Sequence, residues 1–272
     1  MGVKTEPLES RWINVDDLLF HYRAPVNPAK RNLPPVILVH GLGVSNRYMM
    51  PTAERLAPHR TVYAPDLPGF GRSGKPAHPL NLTELADALA RWMDLLGIDS
   101  AVLLANSIGC QIVVELSLRR PELVERLVLV SPTVDRRART AFRSFARLLM
   151  DIPRERLSLA FIALVDYLRA GLGRTAQTFG YAVQDQIEKR LPGVRQPVLI
   201  VRGGLDPVVP QRWAEEMHEQ LPASQLVVIK RAAHAVNHNS PDQLARVVLD
   251  FLQSEGCAKR IDERATMKDE LL

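Results

Sequence analysis

Residues 103–110 constrain the fold of this chain more than any other stretch. They read Leu-Leu-Ala-Asn-Ser-Ile-Gly-Cys, so an apolar run leads directly into Ser107 and an amphipathic helical pattern follows at once. A serine at such a sharp strand-to-helix turn needs small residues two positions before and after it, and Ala105 and Gly109 meet this requirement. The usual pattern is G-x-S-x-G, from which A-x-S-x-G differs by one methyl group. The turn predicts an exposed hydroxyl at a helix N-terminus, where free N–H groups favour developing negative charge.

Three other polar residues follow apolar runs in the same way. His40, Asp206 and His234 each lie just beyond the C-terminal end of such a run. Continuous apolar runs are typical of parallel strands that are buried on both faces of a sheet. Ligands and chemistry collect at the carboxyl edge of such a sheet, so we expect these residues to converge there.

The sequence resembles the α/β-hydrolase family over roughly residues 12–253. The resemblance is carried by the serine turn and by four further segments, which are His40-Gly41, residues 66–73 (Asp-Leu-Pro-Gly-Phe-Gly-Arg-Ser), residues 203–207 (Gly-Gly-Leu-Asp-Pro) and His234. It implies an α/β fold with a mostly parallel, eight-stranded sheet and an inserted helical cap. The expected core is formed by residues 1–132 and 193–272. Residues 133–192, which hold helical patterns but no strand-like run, are the expected cap.

The resemblance also implies a catalytic triad in the chain order Ser, Asp, His. Ser107 is then the nucleophile, His234 the general base, and Asp206 the carboxylate that orients His234. The oxyanion hole is expected from the backbone N–H groups of Ile108 and Leu42.

Two other residues are alternatives for the acid and the base of this triad. Asp135 follows the apolar run 127–130 and can replace Asp206 as the acid. His238 lies four residues after His234 and is the competing base. We expect His40 to hold its loop rather than to take part in the chemistry.

The predicted activity is hydrolysis of a carboxylic ester of a small molecule through an acyl-enzyme, without a cofactor or a metal. An Asn-Ser pair resembles hydrolases that cleave the carbon–carbon bond of ring-fission products, so Asn106 and Asn46 are candidate substrate contacts for that alternative. A cofactor-free perhydrolase or haloperoxidase is a further alternative with the same triad. A binding protein without catalytic activity is the rival from another class.

Residues 69–74, Gly-Phe-Gly-Arg-Ser-Gly, match the G-x-G-x-x-G pattern of dinucleotide-binding loops. A dinucleotide site needs a helix to begin in the loop. Pro76 and Pro79 follow instead, and the next helical pattern begins near Leu82. We therefore interpret this stretch as a structural loop and not as a nucleotide site.

Charge, apolar runs and cysteine content indicate which partners and which cellular setting to expect. The 272 residues carry a formal charge of +5, which does not by itself indicate nucleic acid as a partner. No apolar run approaches the roughly 20 residues that span a bilayer. Two cysteines without metal-ligand spacing fit a cytoplasmic setting. Residues 134–160 are rich in arginine, which suggests a solvated helix face or attraction for a carboxylate-bearing substrate or an anionic surface.

Overall fold

The computed structural model describes residues 7–26 and 33–254. The charged end of the chain, for which the sequence predicts a loosely packed or separate helix, lies outside the described residues from position 255 onward.

An antiparallel hairpin forms one edge of the sheet. Strand β1 (Leu8–Val15) pairs with β2 (Leu18–Pro25) along its whole length. The turn between them is made by Asp16, at a φ of 51°, and Asp17. Aspartate tolerates this left-handed conformation better than most residues, so the two aspartates suit a tight turn.

Six parallel strands complete an eight-stranded sheet in the order β1-β2-β4-β3-β5-β6-β7-β8. They are β3 (Val36–Val39), β4 (Val62–Pro65), β5 (Ala101–Asn106), β6 (Val124–Val130), β7 (Val198–Gly203) and β8 (Ser224–Ile229). Every residue of β3, β5 and β7 is buried. This two-sided burial is why these strands are continuous apolar runs in the sequence.

Helices cover both faces of the sheet. They are α1 (Met50–Leu56), α2 (Leu82–Leu95), α3 (Gly109–Arg119), α7 (Gln211–Gln220), α8 (Val236–Asn239) and α9 (Pro241–Gln253). Successive strand residues belong to opposite cores: Ile37 lies in the core that includes residues of α2, α3 and α7, whereas Leu38 lies in the core that includes residues of α1 and α9. This alternation follows from the two-residue period of a strand.

Three helices interrupt the alternation of strands and helices between β6 and β7. They are α4 (Ala141–Asp151), α5 (Leu157–Ala170) and α6 (Leu172–Gln184), and we call residues 133–192 the helical insertion. Helix α5 contacts the loop after β3 through the buried Asp166. Its carboxylate accepts a hydrogen bond from Ser45 Oγ at 2.6 Å and lies 3.2 Å from the Arg47 guanidinium. The insertion therefore lies over the edge of the sheet at which β3 ends.

Within residues 7–26 and 33–254, none of the helices combines the length and the apolar character needed to cross a membrane.

Candidate active site

Ser107 lies at the turn between β5 and α3 in a strained backbone conformation. Its φ is 57°, and its N–H donates to Val130 O at 3.0 Å. Gly109 starts α3 so close to the end of β3 that an added Cβ would lie 2.8 Å from His40 O. The helix can therefore begin directly after Ser107 only because position 109 has no side chain.

His234 and Asp206 form a buried pair on the loops after β8 and β7. His234 Nδ1 lies 3.0 Å from Asp206 Oδ2, while Asp206 Oδ1 accepts hydrogen bonds from the N–H groups of Val208 and Val209 at 2.7 and 3.0 Å. Burial raises the pKa of Asp206, but the facing imidazole and these hydrogen bonds outweigh it and leave the pKa below its usual value. Asp206 is thus held as a carboxylate against His234.

A cavity of about 420 Å³ lies between the sheet edge and the helical insertion. Ser107 and His234 both line it, as do Leu42 and Ile108. The buried Nε2 of His234 has no hydrogen-bond partner among the described residues. The backbone N–H groups of Leu42 and Ile108 likewise make no hydrogen bond within that part of the chain. A hydroxyl, an imidazole nitrogen and two backbone donors thus border one space.

The two rivals for triad roles are engaged elsewhere. Asp135 also lines the cavity, but its Oδ2 pairs with Arg147 at 2.9 Å and with Arg212 at 2.7 Å. His238 stacks on Tyr48 with ring centroids 6.2 Å apart, and its Nε2 lies 3.2 Å from Ser158 Oγ. The geometry therefore pairs His234 with Asp206 and not with Asp135.

The two asparagines proposed as substrate contacts from the sequence have different surroundings. Asn106 lines the cavity, yet its Oδ1 accepts from Tyr48 at 2.8 Å and its Nδ2 donates to Val130 O and His234 O. Asn46 does not line the cavity. Its N–H donates to the Asp66 carboxylate at 2.6 Å, and its Nδ2 lies 3.2 Å from His21 Nδ1. The backbone N–H and the side-chain nitrogen of Asn46 thus face partners within the protein rather than the cavity.

The same Asp66 carboxylate organises the glycine-rich stretch. Arg72 N–H donates to it at 2.8 Å, and Ser73 Oγ donates to Asp66 O at 2.6 Å. At Gly71, whose φ is 55°, an added Cβ would lie 2.2 Å from that carboxylate. His40 accepts a hydrogen bond from Leu67 N–H at 2.9 Å through Nε2. The stretch is held as a compact loop, with no helix beginning in it.

Sequence reasoning did not find two acidic residues beside His234. Asp151, at the end of α4, accepts a hydrogen bond from the N–H of His234 at 3.3 Å. Glu155 accepts one from the N–H of Ala235 at 2.8 Å and a further one from Asn239. Both residues line the cavity. Their only signal in the sequence is that they are acidic residues in a segment dominated by arginine.

These carboxyl groups change the electrostatics of the site. Burial and the Asp151 carboxylate raise the pKa of Glu155 to about 8. Burial alone lowers the pKa of His234, but Asp206 and the Asp151–Glu155 pair overcome this effect and raise it to about 9. The imidazole is therefore a stronger base than a free histidine.

The described residues contain no group of three or more histidine, cysteine, aspartate or glutamate side chains that could hold a metal ion. Cys110 is buried within α3, whereas Cys257 lies outside the described ranges.

Several known proteins are similar to this chain in sequence or in structure. A pimeloyl-[acyl-carrier protein] methyl ester esterase of Vibrio vulnificus is 25% identical over 244 residues, which cover 80% of this chain and 94% of that protein. The enol-lactonase of Burkholderia xenovorans superimposes with a TM-score of 0.77 at 22% identity and covers 90% of this chain and 100% of its own. A thermophilic esterase of Thermogutta terrifontis gives a TM-score of 0.74 at 23% identity, with 90% and 98% of the two chains covered.

The profile of the Alpha/beta hydrolase family matches residues 36–247, which is most of the chain and includes the serine turn, Asp206 and His234. The eight-stranded sheet and the similar proteins agree with that match. The chain is a hydrolase that belongs to the alpha/beta hydrolase family.

Proposed function

We propose that this protein hydrolyses carboxylic esters through an acyl-enzyme on Ser107. One observation carries the proposal: Ser107, at a positive φ on the turn before α3, borders the same cavity as His234, whose Nδ1 is held by Asp206. A serine hydroxyl needs an adjacent base to become a nucleophile, and a base needs a partner that fixes its tautomer. The relative named as a methyl ester esterase supports the same reaction class.

In the first step, His234 Nε2 accepts the proton of Ser107 Oγ while Oγ attacks the ester carbonyl carbon. The backbone N–H groups of Leu42 and Ile108 stabilise the resulting oxyanion, and Asp206 stabilises the imidazolium. The C–O bond of the alcohol then breaks, and His234 returns the proton to the leaving oxygen. In the second step, His234 activates water, which releases the acid and restores Ser107.

We further propose that the helical insertion, residues 133–192 with its helices α4 to α6, acts as a cap over a core of residues 1–132 and 193–272. It contributes Phe145, Leu148 and Leu159 to the cavity wall. These side chains favour an apolar acyl group, because binding removes their surface and that of the acyl chain from water. The side chains of Asn106 and Asn46, the candidate contacts for carbon–carbon bond cleavage, instead face partners within the protein.

A panel of p-nitrophenyl esters of rising acyl length tests the proposal. We expect hydrolysis by the wild type and none above background for Ser107→Ala. Ser117→Ala is the matched control, because Ser117 lies on the same helix and its Oγ donates only to Val114 O. Equal activity of Ser107→Ala and the wild type, or turnover of a ring-fission dienoate without any ester turnover, would contradict the proposal.

A further inference from the structure

The outer surface of the helical insertion is unusually apolar. Ten of the fifteen large hydrophobic side chains that are exposed in the described residues lie between Phe142 and Leu172, and we call these ten side chains the apolar face. Leu157 is 89% exposed and Phe142 is 81% exposed. Exposed apolar side chains that are concentrated in one segment of the chain indicate an interaction surface, because single scattered hydrophobic residues are the ordinary pattern.

The apolar face has helical order. Leu157, Phe161, Leu164 and Leu168 follow one another along α5 at three- and four-residue spacing, so they form one stripe on that helix. Phe142, Phe145 and Leu149 form a second stripe on α4. Such stripes normally pack into a core, whereas these remain open to solvent.

The charges around the apolar face have one sign. Between Ala141 and Leu172, every residue of which is described, the exposed ionisable residues are Arg143, Arg154, Arg156 and Arg169. The three acidic residues of this range are turned inward: Asp151 and Asp166 are buried, and Glu155 is half-buried. Within this segment the exposed charges that accompany the apolar face are therefore all positive, which is complementary to a surface that is apolar inside and anionic outside.

The apolar face is continuous with the cavity. Phe145, Leu149 and Ile152 belong to the cavity wall and are also at least half exposed to solvent. An acyl chain could therefore pass from an apolar medium at the apolar face to Ser107 without crossing a polar barrier at these three residues.

We propose that the apolar face binds the surface of an anionic lipid membrane and places the entrance of the cavity against the lipid. The apolar side chains enter the boundary between headgroups and acyl chains, and the arginines contact the anionic headgroups. This contact goes beyond the proposed ester hydrolysis and does not depend on it, since lipid binding needs no chemistry at Ser107.

Vesicle sedimentation with full-length Ser107→Ala protein tests the proposal without turnover. We expect the protein to sediment with vesicles of phosphatidylcholine and phosphatidylglycerol in equal parts, and more weakly with phosphatidylcholine alone. Adding Phe161→Ser and Leu164→Ser should weaken binding by about tenfold or more. Leu19→Ser and Leu95→Ser, which change exposed leucines outside the helical insertion, are the matched control and should leave binding unchanged.

Separate variants test the contribution of the arginines to binding of anionic vesicles. Arg156→Gln and Arg169→Gln should each weaken binding to the anionic vesicles by about fivefold, whereas the exposed Arg195→Gln should not. Circular dichroism verifies the fold of each variant, and the substituted side chains are exposed.

The proposal is overturned if the protein sediments with neither kind of vesicle. It is overturned as well if the variants of the apolar face bind as tightly as their controls. Analytical ultracentrifugation tests the alternative that a second copy of the chain covers the apolar face. A dimer that dissociates in the Phe161→Ser and Leu164→Ser variants, together with an absence of vesicle binding, would support this alternative and overturn the proposal. If the wild type hydrolyses no ester while vesicle binding is intact, only the proposed reaction is contradicted.

Discussion

The side-chain amide of Asn106 donates a hydrogen bond to the backbone carbonyl of His234 at 3.3 Å. The residue directly before the proposed nucleophile is thereby joined to the proposed base, although the two are 128 positions apart in the chain. The same amide donates to Val130 O, and its oxygen accepts from Tyr48. Asn106 therefore fixes the relative position of the serine turn and the histidine loop.

Replacing Asn106 with alanine should lower both stability and activity. The change leaves the buried Tyr48 hydroxyl and His234 carbonyl unpaired, which costs about 1–3 kcal/mol for each unsatisfied group that water cannot reach. Urea unfolding and kcat/KM measure the two effects. Asn14→Ala, at an exposed position of β1, is the control and should change neither. Activity that survives intact in Asn106→Ala would show that the serine and histidine loops are positioned by other contacts.

The two candidate acids give a second prediction. Asp206→Asn should reduce kcat by about three to four orders of magnitude, because the amide cannot hold the imidazole in the required tautomer or stabilise its charge. Asp135→Asn should keep most of the activity, since its carboxylate is bound by Arg147 and Arg212 rather than by a histidine. Steady-state kinetics on one ester decide between them. The opposite ranking would move the acid role to Asp135.

The Asp151–Glu155 pair gives a prediction for the pH profile. The neutral imidazole is the active base, so kcat/KM should rise with pH along an acidic limb that ends near the His234 pKa of about 9. Negative charge nearby favours the imidazolium, so Asp151→Asn and Glu155→Gln should lower this pKa and shift the limb to lower pH. The pH dependence of kcat/KM is the measurement.

Asp242→Asn is the control for that shift. Asp242 is an exposed carboxylate that pairs with Arg55 and does not line the cavity, so its variant should keep the wild-type profile. A limb that remains in place in both Asp151→Asn and Glu155→Gln would mean that the pair has no influence on the base.

Two glycine variants test the close packing of the serine turn. Gly109→Ala should destabilise the protein and reduce activity, because the new Cβ would meet the backbone oxygens of Val39 and His40 at 2.9 and 2.8 Å. Gly180→Ala, in the interior of α6 with no atom within 4 Å of the new Cβ, should be neutral or stabilise by up to about 1 kcal/mol. Thermal unfolding compares the two. Equal tolerance at both positions would contradict the close contact between α3 and β3.

The sequence predicted the sheet because its buried strands are continuous apolar runs, and a run of this kind has few other stable placements. It also placed Ser107, Asp206 and His234 on loops, because each follows such a run. The apolar spacing of residues 82–96 predicts a helix, which the structure has at Leu82–Leu95, and its beginning at Leu82 follows from the capping box of Asn81 and Glu84.

Contacts between distant segments could not be predicted from the sequence. Asp151 accepts a hydrogen bond from the N–H of His234, which lies 83 positions later in the chain, and no local sequence pattern indicates such a contact. Asn46 follows His40 closely in the chain, yet its amide turns toward His21 rather than toward the cavity. Phe142 and Leu157 have the spacing of buried positions but are exposed, because helical periodicity indicates which residues share a face and not what covers that face.

Labelling with a fluorophosphonate, read by intact-mass and peptide mass spectrometry, tests the central claim most directly. We predict one adduct per chain, on Ser107, that forms far more slowly in His234→Ala and is absent in Ser107→Ala. A chain that stays unlabelled, or that carries its adduct on another residue, would contradict the assignment of Ser107 as the nucleophile.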